Sequence, residues 1–223
     1  MIGINKNFEY IPKQKIIIIW QARAACSSIM KMYFKELNLL EDKYLKARTL
    51  VHKLRHSHSH KKSYIIKRKK ALNDNDTKYV HFVVNPFRRA VSSYIHYMRS
   101  NYLGNVRENI SFKEYIDNLK NNKYGPNIHH DKQYSFLAKE KNIDYIKMEK
   151  FTKIKDKFNK KYNLNFHLIE KQGHNNNLRK NKKVISKFIG DKKWSDIKDD
   201  FPNEYCHFYN HDLRREVISL YEE

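Results

Sequence analysis

The stretch KIIIIWQARAACSSIMKMYF, Lys15 to Phe34, decides the fold class of this chain. Its first part, Ile16 to Trp20, is an apolar run rich in β-branched residues with no polar face, which is typical of a strand covered on both sides in a parallel sheet. From Ser27 to Leu40 the apolar residues recur near helical spacing and predict a helix. A strand, a short loop and a helix form the first half of a βαβ unit.

The same order of elements recurs further along the chain. Tyr79 to Val84 predicts a second buried strand, and NPF ends it before an amphipathic run from Arg88 to Ser100. Ile143 to Met148 predicts a third strand, followed by a helix over Phe151 to Tyr162. This alternation predicts an α/β fold with a central parallel sheet flanked by helices. Because 223 residues suffice for one such domain, we expect a single domain over residues 1–223.

The charge balance is strongly basic. Lys plus Arg exceed Asp plus Glu by 46 − 24 = 22, so the protein's field attracts polyanions such as nucleic acid, anionic glycans, nucleotides and anionic lipids. Many lysines stand among Asn, Ile and Tyr, a mixture that an AT-rich genome also produces. The sign of the charge is therefore more informative than its size.

Cysteine usage and the N-terminal residues bear on the compartment. Cys26 and Cys206 are too few for a disulfide framework, which favours a reducing environment. The first 15 residues show no apolar signal region, and the longest aliphatic run is far shorter than the roughly 20 residues of a membrane span. We therefore expect a cytoplasmic protein with no signal peptide and no transmembrane segment.

A basic, His-rich segment lies between the first two predicted strands. Residues 42–76 contain HKLRHSHSHKKSYIIKRKK, with little apolar periodicity, and predict an exposed excursion from the domain. Imidazoles suit zinc, copper and nickel, but the run lacks a Cys partner or a carboxylate triad, so a metal site is disfavoured. The segment could instead meet an anionic acceptor.

The turn between the first strand and its helix has the features of an anion site. The unpaired N–H groups of a first helical turn, together with the helix dipole, favour negative charge. Ala24 and Ala25 allow close backbone approach, Ser27 and Ser28 add hydroxyl donors, and Arg23 offers a forked donor. The simpler alternative is that Ser27 only caps the helix and Arg23 is a solvated surface residue. The loop G-x-x-x-x-G-K-[ST] is absent, which disfavours an ordinary nucleoside triphosphatase.

A second stretch, FVVNPFRRAVSSYIHYM, follows at the carboxyl end of the second strand, where open α/β sheets bind ligands. Together the two stretches resemble the membrane-associated carbohydrate sulfotransferases and their bacterial relatives. In that family the first loop holds the 5′-phosphosulfate of 3′-phosphoadenosine 5′-phosphosulfate, and the later motif holds its 3′-phosphate. Here ARAACSS has Arg23 where the family usually has lysine, and VNPFRRAVSSY has Val84 and Asn85 in place of Arg and Asp.

The resemblance implies a P-loop-NTPase-like sulfotransferase fold and a set of donor-binding residues. The phosphosulfate group would be held by the loop, and the 3′-phosphate by Ser92 with Arg88 or Arg89. No metal is required, because cationic side chains can stabilise the leaving phosphate. The implied loop residues are Arg23, Ala24, Ala25, Cys26, Ser27 and Ser28.

The resemblance also indicates candidate catalytic residues. His129 matches the family's H-x-x-x-Q together with Gln133, and an imidazole titrates near neutral pH, so His129 is the preferred base. His174, in GHNNN, is its rival and matches a late H-x-N. Glu149 matches an F/M-E pair; it would act as a base only if buried, and otherwise would hold a cation. Arg23 would stabilise the charge that develops during transfer.

The predicted function is transfer of a sulfuryl group from that donor to a hydroxyl of a glycan or other small acceptor. One alternative is a basic nucleic-acid-binding protein, but no recognition module is visible and nucleic acid is not expected. A second is an inactive relative in which Val84 marks a lost donor site. A third is a phosphate-transfer enzyme, which the missing Gly-Lys pair and the lack of an evident acidic metal site disfavour.

Overall fold

The structure is a computed structural model that describes residues 7–45, 48–99, 108–125, 129, 133, 137, 141–168, 188–198 and 205–221, with the backbone alone at positions 45, 48, 49 and 221. The chain divides into two compact units. The sheet unit comprises Met1–Val84 and Gln133–His174, and the helical unit comprises Asn85–Lys132 and Asn175–Glu223. The expectation of a single domain stays a prediction.

The sheet unit is built on a mixed four-stranded sheet in the order β1-β2-β3-β4. The strands are β1 Phe8–Ile11, β2 Ile16–Trp20, β3 Lys78–Val83 and β4 Ile143–Lys147. The pairs β2–β3 and β3–β4 are parallel, as the sequence predicts, whereas β1 pairs with β2 antiparallel. The prediction of a wholly parallel sheet is therefore wrong at β1. A four-residue turn at residues 12–15 reverses the chain, and a turn this short can only join antiparallel strands.

Nine helices are described in this part of the chain, and only α1 to α4 and α7 belong to the sheet unit. They are α1 Cys26–Glu36, α2 Asp42–Leu45, α3 Arg48–Ser59, α4 Lys62–Leu72, α5 Pro86–Arg99, α6 Phe112–Lys120, α7 Phe151–Tyr162, α8 Trp194–Ile197 and α9 His211–Tyr221. None of these helices is both long and apolar enough to cross a bilayer.

Both faces of the sheet carry apolar cores. On one face Ile16, Ile18 and Trp20 belong to a cluster with residues of α1 and α7. On the other face Ile17 and Ile19 belong to a cluster with residues of β1 and α4. All five residues of β2 are buried, which confirms the prediction that this strand needs cover on both sides.

The His-rich segment 42–76 folds into α2, α3 and α4. Most of its lysines are exposed, but Val51, Tyr64 and Ala71 are buried against the sheet unit. The sequence predicted an exposed excursion and did not reveal that these three residues are buried, because so few apolar residues form no clear periodic pattern.

The helical unit has its own core of aromatic and aliphatic side chains. Tyr94 lies at its centre, with its ring 5.5 Å from Phe112 and 5.6 Å from Tyr115. α6 begins with a capping box, in which Ser111 and Glu114 each accept the other's backbone N–H.

Candidate functional site

The candidate site in the sheet unit is the loop between β2 and α1. It follows the carboxyl end of β2, and because β2, β3 and β4 are parallel, the loops after all three strands begin at one edge of the sheet. This is the edge at which open α/β sheets place ligands. The loop begins with Gln21, which is buried and accepts a hydrogen bond from the Asn7 amide at 3.2 Å.

Two residues of this loop hold left-handed backbone conformations. Arg23 has φ 64° and Ala25 has φ 59°, although neither is glycine. A residue with a Cβ loses roughly 1–2 kcal/mol in this region, and such strain concentrates at sites where the backbone must approach a ligand. The two conformations turn the chain sharply into α1 without the glycines that phosphate-binding loops usually contain.

The first turn of α1 is open to an external acceptor. Ala25 is the N-cap and forms no side-chain capping bond, while its carbonyl accepts the N–H groups of Ser28 and Ile29 at 2.9 and 3.1 Å. The N–H groups of Cys26 and Ser27 precede any intrahelical acceptor. The alternative that Ser27 caps the helix is wrong, because the helix already begins at Cys26. Arg23 is half-buried rather than a fully solvated surface residue.

His52 of α3, a residue that the sequence did not single out, contacts the first turn of α1 next to this loop. Its Nε2 lies 3.0 Å from the Ser27 Oγ and 4.0 Å from the Cys26 Sγ. If Nε2 carries the proton, it donates to Ser27 and leaves the serine hydroxyl hydrogen to point elsewhere. The only sequence signal for His52 was its place at the start of the His-rich run, because its partner Ser27 is 25 residues away.

The second motif lies mainly in the helical unit, where it forms the start of α5. Asn85 caps the helix, since its Oδ1 accepts the N–H groups of Phe87 and Arg88 at 2.9 and 3.3 Å, and Pro86 occupies the first helical position. Arg89 is only 1% exposed, whereas Arg88 is exposed. Asn85 therefore has a structural role as a helix cap. It stands at the position where the sulfotransferases that the two motifs resemble have an aspartate.

Accessibility separates the residues implied for the 3′-phosphate. Ser92 is half-buried and lies one helical turn after the exposed Arg88, so the two share a side of α5. Arg89 shares a side with the buried Ser93. The arrangement favours Arg88 over Arg89 as the arginine that can reach a ligand.

His129, the preferred base, belongs to the helical unit. Its carbonyl accepts a hydrogen bond from the Ser93 hydroxyl, and its ring centroid is 4.3 Å from that of His96 on α5. The ring is half-buried. His174 lies outside the described residues, so the structure does not bear on its predicted role.

Gln133 and Glu149 belong to the sheet unit. The Gln133 amide pairs with both backbone groups of Val84, accepting its N–H at 2.9 Å and donating to its carbonyl at 2.7 Å. Gln133 thus extends the hydrogen bonding of β3 past its last residue. Glu149 stands exposed in a 3-10 turn, Met148–Lys150, directly after β4. The burial that a base role for Glu149 needs is absent.

Three further observations bear on the chemistry of the described residues. Burial lowers the pKa of His81 to about 4, so this imidazole on β3 is neutral at physiological pH. Cys26 and Cys206 are both free thiols. Among the described residues, no group of three or more His, Cys, Asp or Glu side chains is arranged to hold a metal ion.

No family model, curated protein or solved structure matches this chain.

Proposed function

We propose that this protein is a sulfotransferase that moves a sulfuryl group from 3′-phosphoadenosine 5′-phosphosulfate to a hydroxyl of a glycan or other small acceptor. We also propose that its α/β architecture is the P-loop-NTPase-like sulfotransferase fold. The observation that carries the proposal is the β2–α1 loop, with Arg23 and Ala25 in left-handed conformations before an N-terminus that its N-cap side chain leaves open. This combination suits a bound oxyanion.

The donor's phosphosulfate end would occupy this loop. The N–H groups of Cys26 and Ser27 would donate to its oxygens, whereas the N–H of Ser28 already donates to the Ala25 carbonyl at 2.9 Å. Arg23 would neutralise charge on the leaving phosphate. His52 is proposed as a positioning residue, since a proton on its Nε2 directs the Ser27 hydroxyl toward a ligand oxygen. Exposed Arg88 and half-buried Ser92 are proposed to bind the 3′-phosphate, and buried Arg89 to serve the structure of the helical unit.

The reaction would be an in-line displacement at sulfur. The acceptor oxygen forms a bond to sulfur while the bond from sulfur to the bridging oxygen breaks, and the electron pair leaves on the 5′-phosphate. The acceptor's proton goes to a base, for which His129 is proposed, with His174 as the alternative. Glu149, which is exposed, is proposed to hold a cation rather than to take the proton.

The test is donor-analogue binding, measured as a shift of the melting temperature with 3′-phosphoadenosine 5′-phosphate. A ligand that binds only the folded state at 100 times its dissociation constant stabilises that state by about 2.7 kcal/mol. We expect a clear upward shift at millimolar ligand. A folded preparation that shows no shift would contradict the proposal.

Three variants then assign the shift to the proposed site. Arg23→Ala should abolish turnover, and Ser92→Ala should weaken donor-analogue binding. Lys35→Ala removes a cation from the last turn of α1, at the opposite end from the loop, and should change neither quantity. An equal loss in Lys35→Ala would mean that the general positive field, and not the loop, binds the nucleotide.

A further inference from the structure

A second cationic site lies within the sheet unit. Residues of β1, α3 and α4, with His60 directly after α3, line a partly open cavity of about 250 Å³. The lining includes the permanent cations Arg55, Arg68 and Lys69. No carboxylate is among the lining residues of the described chain. Cations gathered around a cavity favour an anionic occupant.

One acidic residue, Glu9 of β1, interacts with Arg68 and Arg55, but it is buried and offsets little of this charge. Glu9 is 1% exposed, and its Oε2 accepts the Tyr64 hydroxyl at 2.6 Å. Burial raises the pKa of Glu9 to about 7, so this carboxyl is partly protonated at neutral pH. Even when ionised, it supplies one negative charge against the three cations of the lining.

Aromatic packing orients one of these cations. The Arg68 guanidinium carbon lies 4.8 Å from the Phe8 ring centroid and 5.9 Å from that of Tyr64. The Arg68 Nη1 also donates to the Phe8 carbonyl at 3.5 Å, which further fixes the guanidinium and leaves its other N–H groups to bind an anion.

The histidines of the lining add polar groups suited to a sugar. The rings of His56 and His60 stack at 4.1 Å, and the His60 Nδ1 donates to the His56 carbonyl at 2.7 Å. The remaining Nε2 of His60 accepts a hydroxyl hydrogen when the ring is neutral and donates to an anion when it is protonated.

One side of α3 connects this cavity with the β2–α1 loop. His52, which contacts Ser27, is three to four residues before Arg55 and His56, and seven to eight before Ser59 and His60. This spacing places His52, Arg55, His56 and Ser59 on one side of α3, and His60 follows directly after the helix. Arg55 and His56 lie within about 6 Å of His52 along the helix axis. Arg55 also lies over the ring of Trp20, the last residue of β2, at 5.8 Å.

We propose that this cavity binds the anionic group of the acceptor, as one sugar unit that carries a sulfate, phosphate or carboxylate. Its role as an acceptor site rests on the proposed function, but anion binding there does not. Ligand pockets of proteins usually span about 300–1,000 Å³, so a volume of about 250 Å³ suits a ligand as small as one sugar unit.

The test measures dissociation constants of the full-length chain for glucose 6-sulfate, glucose 6-phosphate and glucuronate by NMR titration, with glucose as the neutral probe. The three anions distinguish the preferred oxyanion. Lys69→Gln and Arg68→Gln should each weaken anion binding by about tenfold or more. Lys67→Gln removes the same charge from an exposed position of α4 outside the lining, and should leave binding within about twofold. If Arg68→Gln does not fold, Lys69→Gln carries the test alone.

Three outcomes would overturn the inference: no anionic sugar binds, glucose binds as tightly as glucose 6-sulfate, or Lys67→Gln weakens binding as much as Lys69→Gln. Binding of 3′-phosphoadenosine 5′-phosphate to the same variants separates the two proposals. If the nucleotide does not bind but glucose 6-sulfate binds in a Lys69-dependent way, the anion site stands and the proposed function fails. If only the nucleotide binds, the cavity proposal alone fails.

Discussion

Adjacent alanines of the β2–α1 loop differ in backbone conformation. Ala25 has φ 59°, in the left-handed region, whereas Ala24 does not have a positive φ and its side chain is fully buried. A methyl group at Ala25 therefore opposes the conformation that the chain adopts, and the methyl group at Ala24 contributes to packing. The two positions make opposite demands on side-chain size.

Glycine substitutions should separate these two demands. We expect Ala25→Gly to leave the free energy of unfolding unchanged or to raise it by up to about 1 kcal/mol, because the Cβ strain is relieved. Ala24→Gly should lower it by about 1 kcal/mol, since it removes a buried methyl group and adds freedom to the unfolded chain. Urea denaturation of both variants measures the difference, and an equal loss in the two would show that Ala25 is not strained.

At the scale of elements, one hydroxyl joins α4 to the sheet edge. The Tyr64 Oη accepts the backbone N–H of Tyr10 at 2.7 Å and the Tyr33 hydroxyl at 3.1 Å, and it donates to Glu9. Desolvation raises the pKa of Glu9 to about 7, although the hydrogen bond from Tyr64 and the charges of Arg68 and Arg55 act in the opposite direction. The hydrogen bond from Tyr64 favours the ionised carboxylate, but burial outweighs it, so the folded state favours the protonated form of Glu9.

The burial of Glu9 should make stability depend on pH. Folded Glu9 keeps its proton up to about pH 7, whereas the unfolded chain loses it near 4.5, so the Glu9 contribution is complete at low pH and falls as pH rises through 7. The full loss corresponds to roughly 3 kcal/mol. Because glutamine does not titrate, the stability of Glu9→Gln relative to the wild type should be greater at about pH 8.5 than at about pH 5.5.

Denaturant unfolding at the two pH values measures this gain. The matched control is Asp156→Asn, which removes a carboxylate that is 94% exposed on α7 and should follow the wild-type pH dependence. A constant difference between Glu9→Gln and the wild type at both pH values would show that Glu9 does not titrate with a raised pKa.

The end of α1 shows a limit of predicting helices from the spacing of apolar residues. The spacing of apolar residues predicts α1 up to Leu40, but the helix ends at Glu36. Asn38 takes a left-handed conformation with φ 54°, and the N–H groups of Asn38 and Leu39 bond back to the carbonyls of Lys35 and Phe34 at 3.0 and 2.8 Å. These two bonds form a Schellman motif. Glycine is the usual residue at the left-handed position, so an asparagine there is a weaker sequence signal for the end of a helix.

At the scale of the whole molecule, a net charge of +22 attracts anions of every kind. Specific nucleotide binding must therefore be separated from binding through the general field. The two differ in how many counterions they release, because a strand of nucleic acid engages many phosphates and the proposed donor engages two phosphate positions.

Salt should distinguish these two modes of binding. Between about 50 and about 200 mM salt, we expect the affinity for a random single-stranded oligonucleotide to fall by at least about a hundredfold. The affinity for 3′-phosphoadenosine 5′-phosphate should fall by less than about tenfold. Arg23→Ala should weaken the second and leave the first unchanged. Fluorescence anisotropy measures both, and tight oligonucleotide binding at the higher salt would favour a nucleic-acid-binding protein.

The sequence by itself determined the succession of β2, its loop and α1, the parallel strands β3 and β4, and the helix α7. These elements depend on local periodicity and on small residues at a turn, and both features can be recognised in a short stretch of sequence. β1 escaped prediction because it has only four residues, with Glu9 among them.

Only the tertiary structure decided the surroundings of each candidate residue within its own unit. His52 reaches Ser27 because α3 packs against the sheet unit, Arg89 is buried while Arg88 is exposed, and Glu149 is left in solvent. The cationic cavity likewise exists only where α3, α4 and β1 meet. Such contacts join residues far apart in the chain, and their free energy depends on how whole elements pack, which no local pattern encodes.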